Sequence, residues 1–294
     1  MVSKISGSAV HGVDAFTIAI EVNIVSGTKF YIVGLPDNAV KESERRVESS
    51  IKHLGFKFPR HRVVVNLAPA DKRKEGSAYD LPIALGILIS SKQIQVNGLD
   101  KYMVMGELSL DGASSPIKGV LPIAIEARKQ GFKGFVLPKV NAGEAAIVSN
   151  LDVIGVDSLQ EAIDYFEGNL EIEPLKKDTR ELFLNTCNDY DADFADVQGQ
   201  ENIKRALEIT ASGGHNAIMI GPPGAGKTML AKRLPSILPP LTLQEALETT
   251  KIHSVAGKMS ERSSLIATRP FRSPHHTISD VALVGGGGNP QPGE

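Results

Sequence analysis

The segment IMIGPPGAGKTML, residues 218–230, constrains the fold of this chain more than any other stretch. Gly221, Gly226, Lys227 and Thr228 match the pattern G-x-x-x-x-G-K-[ST], in which glycines let backbone N–H groups turn toward phosphate oxygens. The pattern needs a strand before the loop and a helix after it. Residues 216–221 are apolar and predict a fully buried strand, and KTMLAKRLPSIL predicts the helix. The sequence therefore predicts a strand–loop–helix unit that binds a phosphate group.

The ligand predicted for this loop is ATP with Mg²⁺. In this motif the lysine reaches the β and γ phosphates, and the Ser or Thr hydroxyl is a Mg²⁺ ligand; these are Lys227 and Thr228. The predicted nucleotide-binding residues are Gly221, Pro222, Pro223, Gly224, Ala225, Gly226, Lys227 and Thr228. Hydrolysis also needs a carboxylate that holds the metal, usually on a neighbouring strand. No apolar run ending in Asp or Glu follows Thr228, so no catalytic residue is assigned and hydrolysis stays open.

The composition predicts a globular cytoplasmic protein. Its 294 residues suggest about two domains, and the formal net charge of −2 gives no global argument for nucleic-acid binding. Cys187 is the single cysteine, which excludes an internal disulfide and a cysteine-rich zinc site. The first residues lack the apolar core of a signal peptide, and the most apolar run, 81–90, is too short to cross a bilayer. We expect a buried helix at 81–90 and no membrane partner.

Strand and helix patterns alternate irregularly over residues 1–168, which predicts an α/β or α+β domain. Strands are predicted at 15–25, 29–35, 62–69, 102–110, 135–138 and 151–156. Helices are predicted at 39–55, 81–91, 119–131 and 158–166. Asp80 is a predicted N-cap, and Ser158 with Glu161 has the spacing of a capping box.

Acidic residues concentrate after residue 168, and residues 169–192 are predicted to be an acidic linker. A new strand and helix pattern follows. Helices are predicted at 199–214 and near 241–254, on either side of the phosphate loop. We therefore expect two domains, at 1–168 and 193–294, of which the second contains the loop.

Positive charge and histidine each suggest one further site. Candidate phosphate contacts for DNA, next to predicted loops, are Arg60, Arg62, Lys72, Arg73 and Lys74. The alternative for the helix before them is a solvated surface with ion pairs at i, i+4 spacing. His275 and His276 are adjacent, so they do not face one metal ion on regular structure, and we assign no metal there.

The longest motifs resemble a known family. FADVQGQENIKRALEITASGGHNAIMIGPPGAGKTMLAKRLPSILPPL, with RPFRSPHHT and GGGGNPQPGE, is similar to the magnesium-chelatase-like branch of AAA+ ATPases. LAPADKRKEGSAYDLPIALGIL and MGELSLDGASSPIKGVLPIAIEARKQGFKGFVLP are similar to the ComM/YifB family. The resemblance implies an α/β chain with a Lon-protease-like α+β domain followed by part of a P-loop NTPase (AAA+) domain on a parallel sheet. Family members continue with a second acidic nucleotide motif, so this chain is expected to be an N-terminal portion.

The same resemblance implies a hexamer that binds single-stranded or branched DNA. It would drive branch migration in recombination or natural transformation and hydrolyse ATP at full length. It also places Val197 and Gln198 where relatives contact adenine.

Three alternatives remain: a metal-inserting chelatase motor, a Lon-type peptidase and a binding scaffold without enzymatic activity. A Lon-type peptidase needs a Ser nucleophile activated by Lys. By resemblance these places fall on Ala78 and Leu121, and Ser77 is displaced by one residue, so the peptidase is disfavoured.

Overall fold

The computed structural model describes residues 2–259, 264–286 and 291–294, and it contains a seven-stranded mixed sheet. Residues 287–290 of the glycine-rich motif quoted above lie outside the described residues. The strands are β1 (Val2–His11), β2 (Asp14–Val25), β3 (Phe30–Val33), β4 (Arg62–Ala68), β5 (Tyr102–Val104), β6 (Glu107–Leu108), β7 (Ser114–Ser115), β8 (Gly134–Pro138), β9 (Asp152–Val156), β10 (Gly285–Gly286) and β11 (Gln291–Pro292).

Helices cover the sheet and form most of the rest of the chain. They are α1 (Asn38–Lys41), α2 (Ser43–His53), α3 (Asp80–Ser90), α4 (Val120–Lys129), α5 (Lys139–Ala145), α6 (Leu159–Glu167), α7 (Thr179–Thr186), α8 (Glu201–Gly213), α9 (Lys227–Arg233), α10 (Leu243–Val255) and α11 (Asp280–Val284). Short 3₁₀ turns lie at Leu99–Lys101, Phe194–Asp196 and Leu234–Ile237. Among the described residues, no helix is long and apolar enough to cross a membrane.

The order of strands in the large sheet is β3-β4-β2-β1-β5-β8-β9. The central strands β1, β2 and β4 are antiparallel, whereas β3 and the series β5, β8 and β9 join in parallel. The mixed α/β class is therefore confirmed. Strand β1 is not among the predicted strands, although it pairs with β2 from Val2 opposite Asn23 to His11 opposite Asp14. The predicted strand 102–110 is interrupted and becomes β5 and β6.

Helix α3 forms the centre of the main core, as the apolar run predicts. Every residue from Asp80 to Leu88 is buried. A Cβ placed on Gly86 would lie 2.6 Å from the Cγ2 atom of Val22, so the helix backbone packs directly on β2. Burial of each large aliphatic side chain contributes about 1.5–3 kcal/mol. Helix α3 is thus the main apolar contact that fixes the α layer on the sheet.

The predicted cap at Asp80 is wrong. The N-cap is Tyr79, and Asp80 is the first helical residue. Its carboxylate accepts hydrogen bonds from Arg46 Nε at 2.6 Å and from the Leu108 N–H at 3.2 Å. Asp80 therefore joins α2, α3 and β6. In contrast, the predicted N-cap at Ser158 is confirmed, because its hydroxyl accepts from the Glu161 N–H. The reciprocal half of the predicted capping box is not formed, since the Glu161 carboxylate accepts from the Asp157 N–H.

The buried strand predicted at 216–221 is not formed. The segment has no strand assignment, and Ile218 and Ile220 are 86% and 91% exposed. A buried parallel strand needs hydrogen-bonded neighbours and helices over both faces. None of the described strands pairs with this segment. Residues 216–221 therefore have the apolar sequence of a buried strand but lack neighbouring strands to pair with among the described residues.

Part of the segment predicted as an acidic linker is packed against the first domain. It contains α7, whose first N–H groups are capped by the Asp178 carboxylate. Leu182 and Phe183 contact the main core, and the Thr179 hydroxyl donates to the Ile147 carbonyl at 2.6 Å. This part of the acidic segment is therefore a helix that packs against the main core through Leu182 and Phe183.

Residues 241–267 also pack against the main core, although they follow the phosphate loop in sequence. The core includes Leu241, Ala246, Leu265 and Ala267. Helix α10 lies on α4, and the Gly119 N–H donates to the Ser254 carbonyl at 3.0 Å. The chain therefore returns to the first domain after the nucleotide loop, which the sequence patterns do not indicate.

A buried carboxylate completes the contact of α10 with α4. Glu144 on α5 accepts a hydrogen bond from the Leu121 N–H at 2.9 Å and is also hydrogen-bonded to Ser254. Burial raises the pKa of Glu144 above its ordinary value, and the two hydrogen bonds oppose part of that effect. Folding therefore favours the protonated form of this side chain.

We expect the contribution of Glu144 to stability to decrease as pH rises. Because its folded-state pKa is raised, the contribution is fully present below the unfolded pKa and is lost as pH rises through the folded pKa. Urea unfolding of the wild type and Glu144→Gln between pH 4 and 8 measures this. Their difference should shift in favour of Glu144→Gln at higher pH by about 1.4 kcal/mol per unit of pKa change. A difference between wild type and Glu144→Gln that is constant with pH would contradict the assignment.

Candidate nucleotide site

The phosphate loop has the backbone conformation that its glycines predict. Gly224 and Gly226 both have φ of +81°, in the left-handed region that glycine adopts without strain. A Cβ placed on Gly221 would lie 3.7 Å from the Ala225 Cβ, inside the turn. Among the described residues, the N–H groups of Gly224 and Gly226 have no hydrogen-bond acceptor. The loop thus keeps an open interior and free N–H donors, which suit a phosphate group.

Lys227 and Thr228 begin helix α9 directly after the loop. The Lys227 ammonium donates to the carbonyl oxygens of Gly221 at 2.8 Å and Pro222 at 2.7 Å, so its side chain lies over the loop. The Thr228 residue is exposed. A cation over free N–H donors, with a hydroxyl beside them, fits Mg-ATP. Lys227 would stabilise phosphate charge, and Thr228 would hold Mg²⁺.

A small second core supports the loop from behind. It consists of Phe194, Val197, Leu207 and Leu230, of which Leu230 belongs to α9. Asp196 pairs with Arg233 at 3.3 Å between Oδ2 and Nη2. These contacts tie the residues before α8 to the helix that follows the loop. Helix α9 is therefore positioned by both apolar packing and an ion pair.

The two predicted adenine contacts have different environments. Val197 is buried in this second core with 3% exposure, so its side chain is not available to a base. Gln198 is exposed. Gln200, which the sequence patterns do not indicate, lies beside the loop, with its Nε2 atom 3.9 Å from the position of a Cβ on Gly226. An adenine contact through Val197 would therefore use its main chain.

The five basic residues predicted to contact DNA do not form one patch. Arg60 and Arg62 lie at the start of β4, whereas Lys72, Arg73 and Lys74 follow its end. A seven-residue strand separates the two groups by about 20 Å at roughly 3.3 Å per residue. Lys72 lies over the Phe16 ring at 4.3 Å, and Arg73 pairs with Glu75 at 3.1 Å.

The prediction that Lys74 contacts DNA phosphates is wrong, because Lys74 is fully buried. Its ammonium donates to the carbonyls of Pro69 and Lys72. Burial lowers the pKa of Lys74, and Asp71 opposes this effect. A buried ammonium that is bonded to backbone carbonyls holds the 69–74 loop closed and does not present a charge to a phosphate.

The region that corresponds to a Lon-type catalytic centre has no Ser–Lys pair. The Ser77 hydroxyl donates to the Glu107 carboxylate, and Lys74 is bonded to backbone carbonyls. Leu121, which occupies the place of the catalytic lysine of Lon-type peptidases, is fully buried. Within the described part of the chain, Ser77 therefore lacks the lysine that activates a serine nucleophile.

The histidine pair also has a local structural role. His275 Nδ1 lies 2.8 Å from the Thr277 Oγ1 atom, and the two imidazole rings have centroids 4.2 Å apart. No group of three or more His, Cys, Asp or Glu that could hold a metal occurs among the described residues.

Comparison with known proteins agrees with this arrangement. The family described as "Subunit ChlI of Mg-chelatase" matches residues 20–141, and "Magnesium chelatase, subunit ChlI" matches residues 193–294. YifB of Salmonella typhimurium is 45% identical over 285 residues, which are 96% of this chain and 55% of that protein. The chain belongs to the magnesium-chelatase-like ComM/YifB family. Competence protein ComM of Haemophilus influenzae is 40% identical over 284 residues, with the same two shares. The chain thus spans about half the length of these family members.

Two further proteins are similar to part of this chain. DNA repair protein RadA of Halalkalibacterium halodurans is 32% identical over 113 residues, covering 38% of this chain and 24% of RadA. Lon protease 2 of Bacillus subtilis is 28% identical over 127 residues, covering 42% and 22%. These matches agree with a Lon-like domain followed by a P-loop domain.

Proposed function

We propose that this chain binds Mg-ATP through residues 221–228 and belongs to a DNA-remodelling ATPase that acts in the cytoplasm. The observation that carries the ATP proposal is the loop itself: left-handed Gly224 and Gly226, unpaired N–H donors and the Lys227 ammonium over the turn. In the bound state, these groups would hold the phosphates, and Mg²⁺ would neutralise charge on the β and γ oxygens.

The DNA proposal is supported by the relatives. One is named a competence protein and another a DNA repair protein. Exposed cations at both ends of β4 offer phosphate contacts, and Lys74 is removed from that set because of its burial. We further propose that the full-length protein is a hexamer that drives branch migration on single-stranded or branched DNA.

A DNA-stimulated ATPase assay of the full-length protein tests this function. We expect the ATPase rate to rise on addition of single-stranded or branched DNA, because DNA is the proposed substrate of the motor. A rate unaffected by DNA but raised by a metal-free porphyrin would instead favour the chelatase motor, which the family descriptions suggest. Binding of ATP with no hydrolysis under any condition would favour a scaffold.

A further inference from the structure

A cleft of about 1200 Å³ opens beside the edge strand β3, at a distance in sequence from the phosphate loop. It lies between β3, helix α2 and the loop that joins α2 to β4. We propose that this cleft binds single-stranded nucleic acid, with bases on its aromatic rings and phosphates on its cations. This inference rests on the proposed DNA function and assigns the contact to a specific site.

Three phenylalanines line the cleft: Phe30, Phe56 and Phe58. Each is partly buried and packs against the main core, so part of each side chain stays accessible. The Phe30 and Phe58 rings are stacked, with centroids 6.4 Å apart and an interplanar angle of 25°. Ring faces of this kind stack on unpaired bases, which every base allows because each has a π face.

The loop that carries two of these rings is held in place. Gln93 Oε1 accepts from the Lys57 N–H at 2.7 Å, and Gln93 Nε2 donates to the Lys57 carbonyl at 2.8 Å. The Phe56 N–H donates to the Ile51 carbonyl at 3.1 Å. Both backbone groups of the residue between Phe56 and Phe58 are therefore fixed. A preformed platform lowers the entropy cost of binding.

The charge of the cleft is positive. Its lining contains four cations, Lys29, Lys52, Lys57 and Arg60, against two carboxylates, Glu44 and Glu48. Lys52 is neutralised by Glu48, with 2.6 Å between Nζ and Oε1. Among the described residues, Lys29, Lys57 and Arg60 form no ion pair, and all three are exposed.

Exposed cations beside stacked rings favour a single strand over the other polyanions. A duplex offers phosphates but keeps its bases stacked internally, so it would use only the cations. An acidic peptide would use the cations and leave the rings idle. The ring pair is therefore the feature that separates these ligands, and substitutions of the rings and of the cations test the two contributions separately.

The test is fluorescence anisotropy of the full-length protein with a labelled oligothymidylate, at several salt concentrations. Phe58→Leu keeps an apolar contact with the core but removes the ring. We expect it to weaken binding by about 5-fold or more with an unchanged salt slope. The double variant Lys57→Gln with Arg60→Gln should weaken binding and reduce the slope by about 1.4, since each single-strand phosphate contact contributes about 0.7. Lys129→Gln, an exposed lysine outside the cleft, is the matched control and should bind like wild type.

The outcomes are separable. If the wild type binds the oligonucleotide and all variants bind equally, the proposal that this cleft binds the strand is overturned, while the proposed function stands. If the wild type binds no single strand, the DNA part of the proposed function fails and the cleft with it. Displacement by polyglutamate with no effect of Phe58→Leu would assign the cleft to acidic peptides. Phe30→Leu repeats the ring test from β3, and thermal melting followed by circular dichroism excludes loss of fold.

Discussion

Replacement of Arg46 by methionine is expected to lower the free energy of unfolding by about 3–5 kcal/mol, the cost of leaving a buried charge without its partner. Asp80 is fully buried, and its two carboxylate oxygens accept from Arg46 Nε at 2.6 Å and Nη2 at 3.1 Å. Burial raises the pKa of Asp80, and the hydrogen bond from Arg46 opposes that rise. Without Arg46, the carboxylate keeps the hydrogen bonds from the Leu108 N–H at 3.2 Å and from the Ser43 side chain, but it loses its cationic partner.

Denaturant unfolding followed by circular dichroism measures this effect. Arg45→Met is the control, because Arg45 is the exposed neighbour on the same helix. Adding Asp80→Asn to Arg46→Met should recover part of the loss, since the neutral amide costs less to bury. Equal stability of Arg46→Met and Arg45→Met would show that the pair does not hold α2 against α3.

Replacement of Lys227 by alanine is expected to weaken ATP binding by about 10- to 100-fold. A hydrogen bond to a charged group contributes about 1.5–3 kcal/mol, and each 1.4 kcal/mol is a factor of ten. The Lys227 ammonium lies over the loop on the Gly221 and Pro222 carbonyls, from where a short movement brings it to a phosphate. Its loss removes the one cation that the motif supplies.

Titration with a fluorescent ATP analogue gives the dissociation constants. Lys232→Ala on the same helix is the matched control, because Lys232 is exposed and lies outside the motif. If the affinity of Lys227→Ala matched that of Lys232→Ala, ATP would not bind through this loop, and the proposed function would lose the observation that carries it.

Local patterns predicted those parts of the molecule that depend on neighbours in sequence. The apolar run 81–90 is the buried helix α3, and the spacing of Gly221 to Thr228 gives a loop with left-handed glycines. Both follow from conformational preference and periodicity within a few residues. The Ser158 cap is confirmed for the same reason, since its hydroxyl and the Glu161 N–H are three residues apart.

Predictions for features that depend on distant parts of the chain were wrong, and one such feature was missed. The Asp80 side chain leaves its own helix because Arg46 lies 34 residues away in sequence and beside it in space. In the sequence, Lys74 is the last of three consecutive basic residues, but its ammonium donates to backbone carbonyls inside the protein. The segment 216–221 has strand periodicity, yet periodicity does not supply the neighbouring strand that would pair with it. The aromatic cleft combines β3 with a loop about 26 residues later, so no local pattern indicates it.

The contact of α10 with α4 joins two parts of the chain that are synthesised at different times. Leu121 and Ser254 are 133 residues apart in sequence, with 3.3 Å between the Leu121 nitrogen and the Ser254 Oγ atom. At a synthesis rate of roughly 5–20 residues per second, Ser254 is translated about 7–27 s after Leu121. The nascent first domain therefore leaves the ribosome with the α10-facing surface of α4 exposed to water, and that surface is covered only when the polypeptide beyond the nucleotide loop has been made.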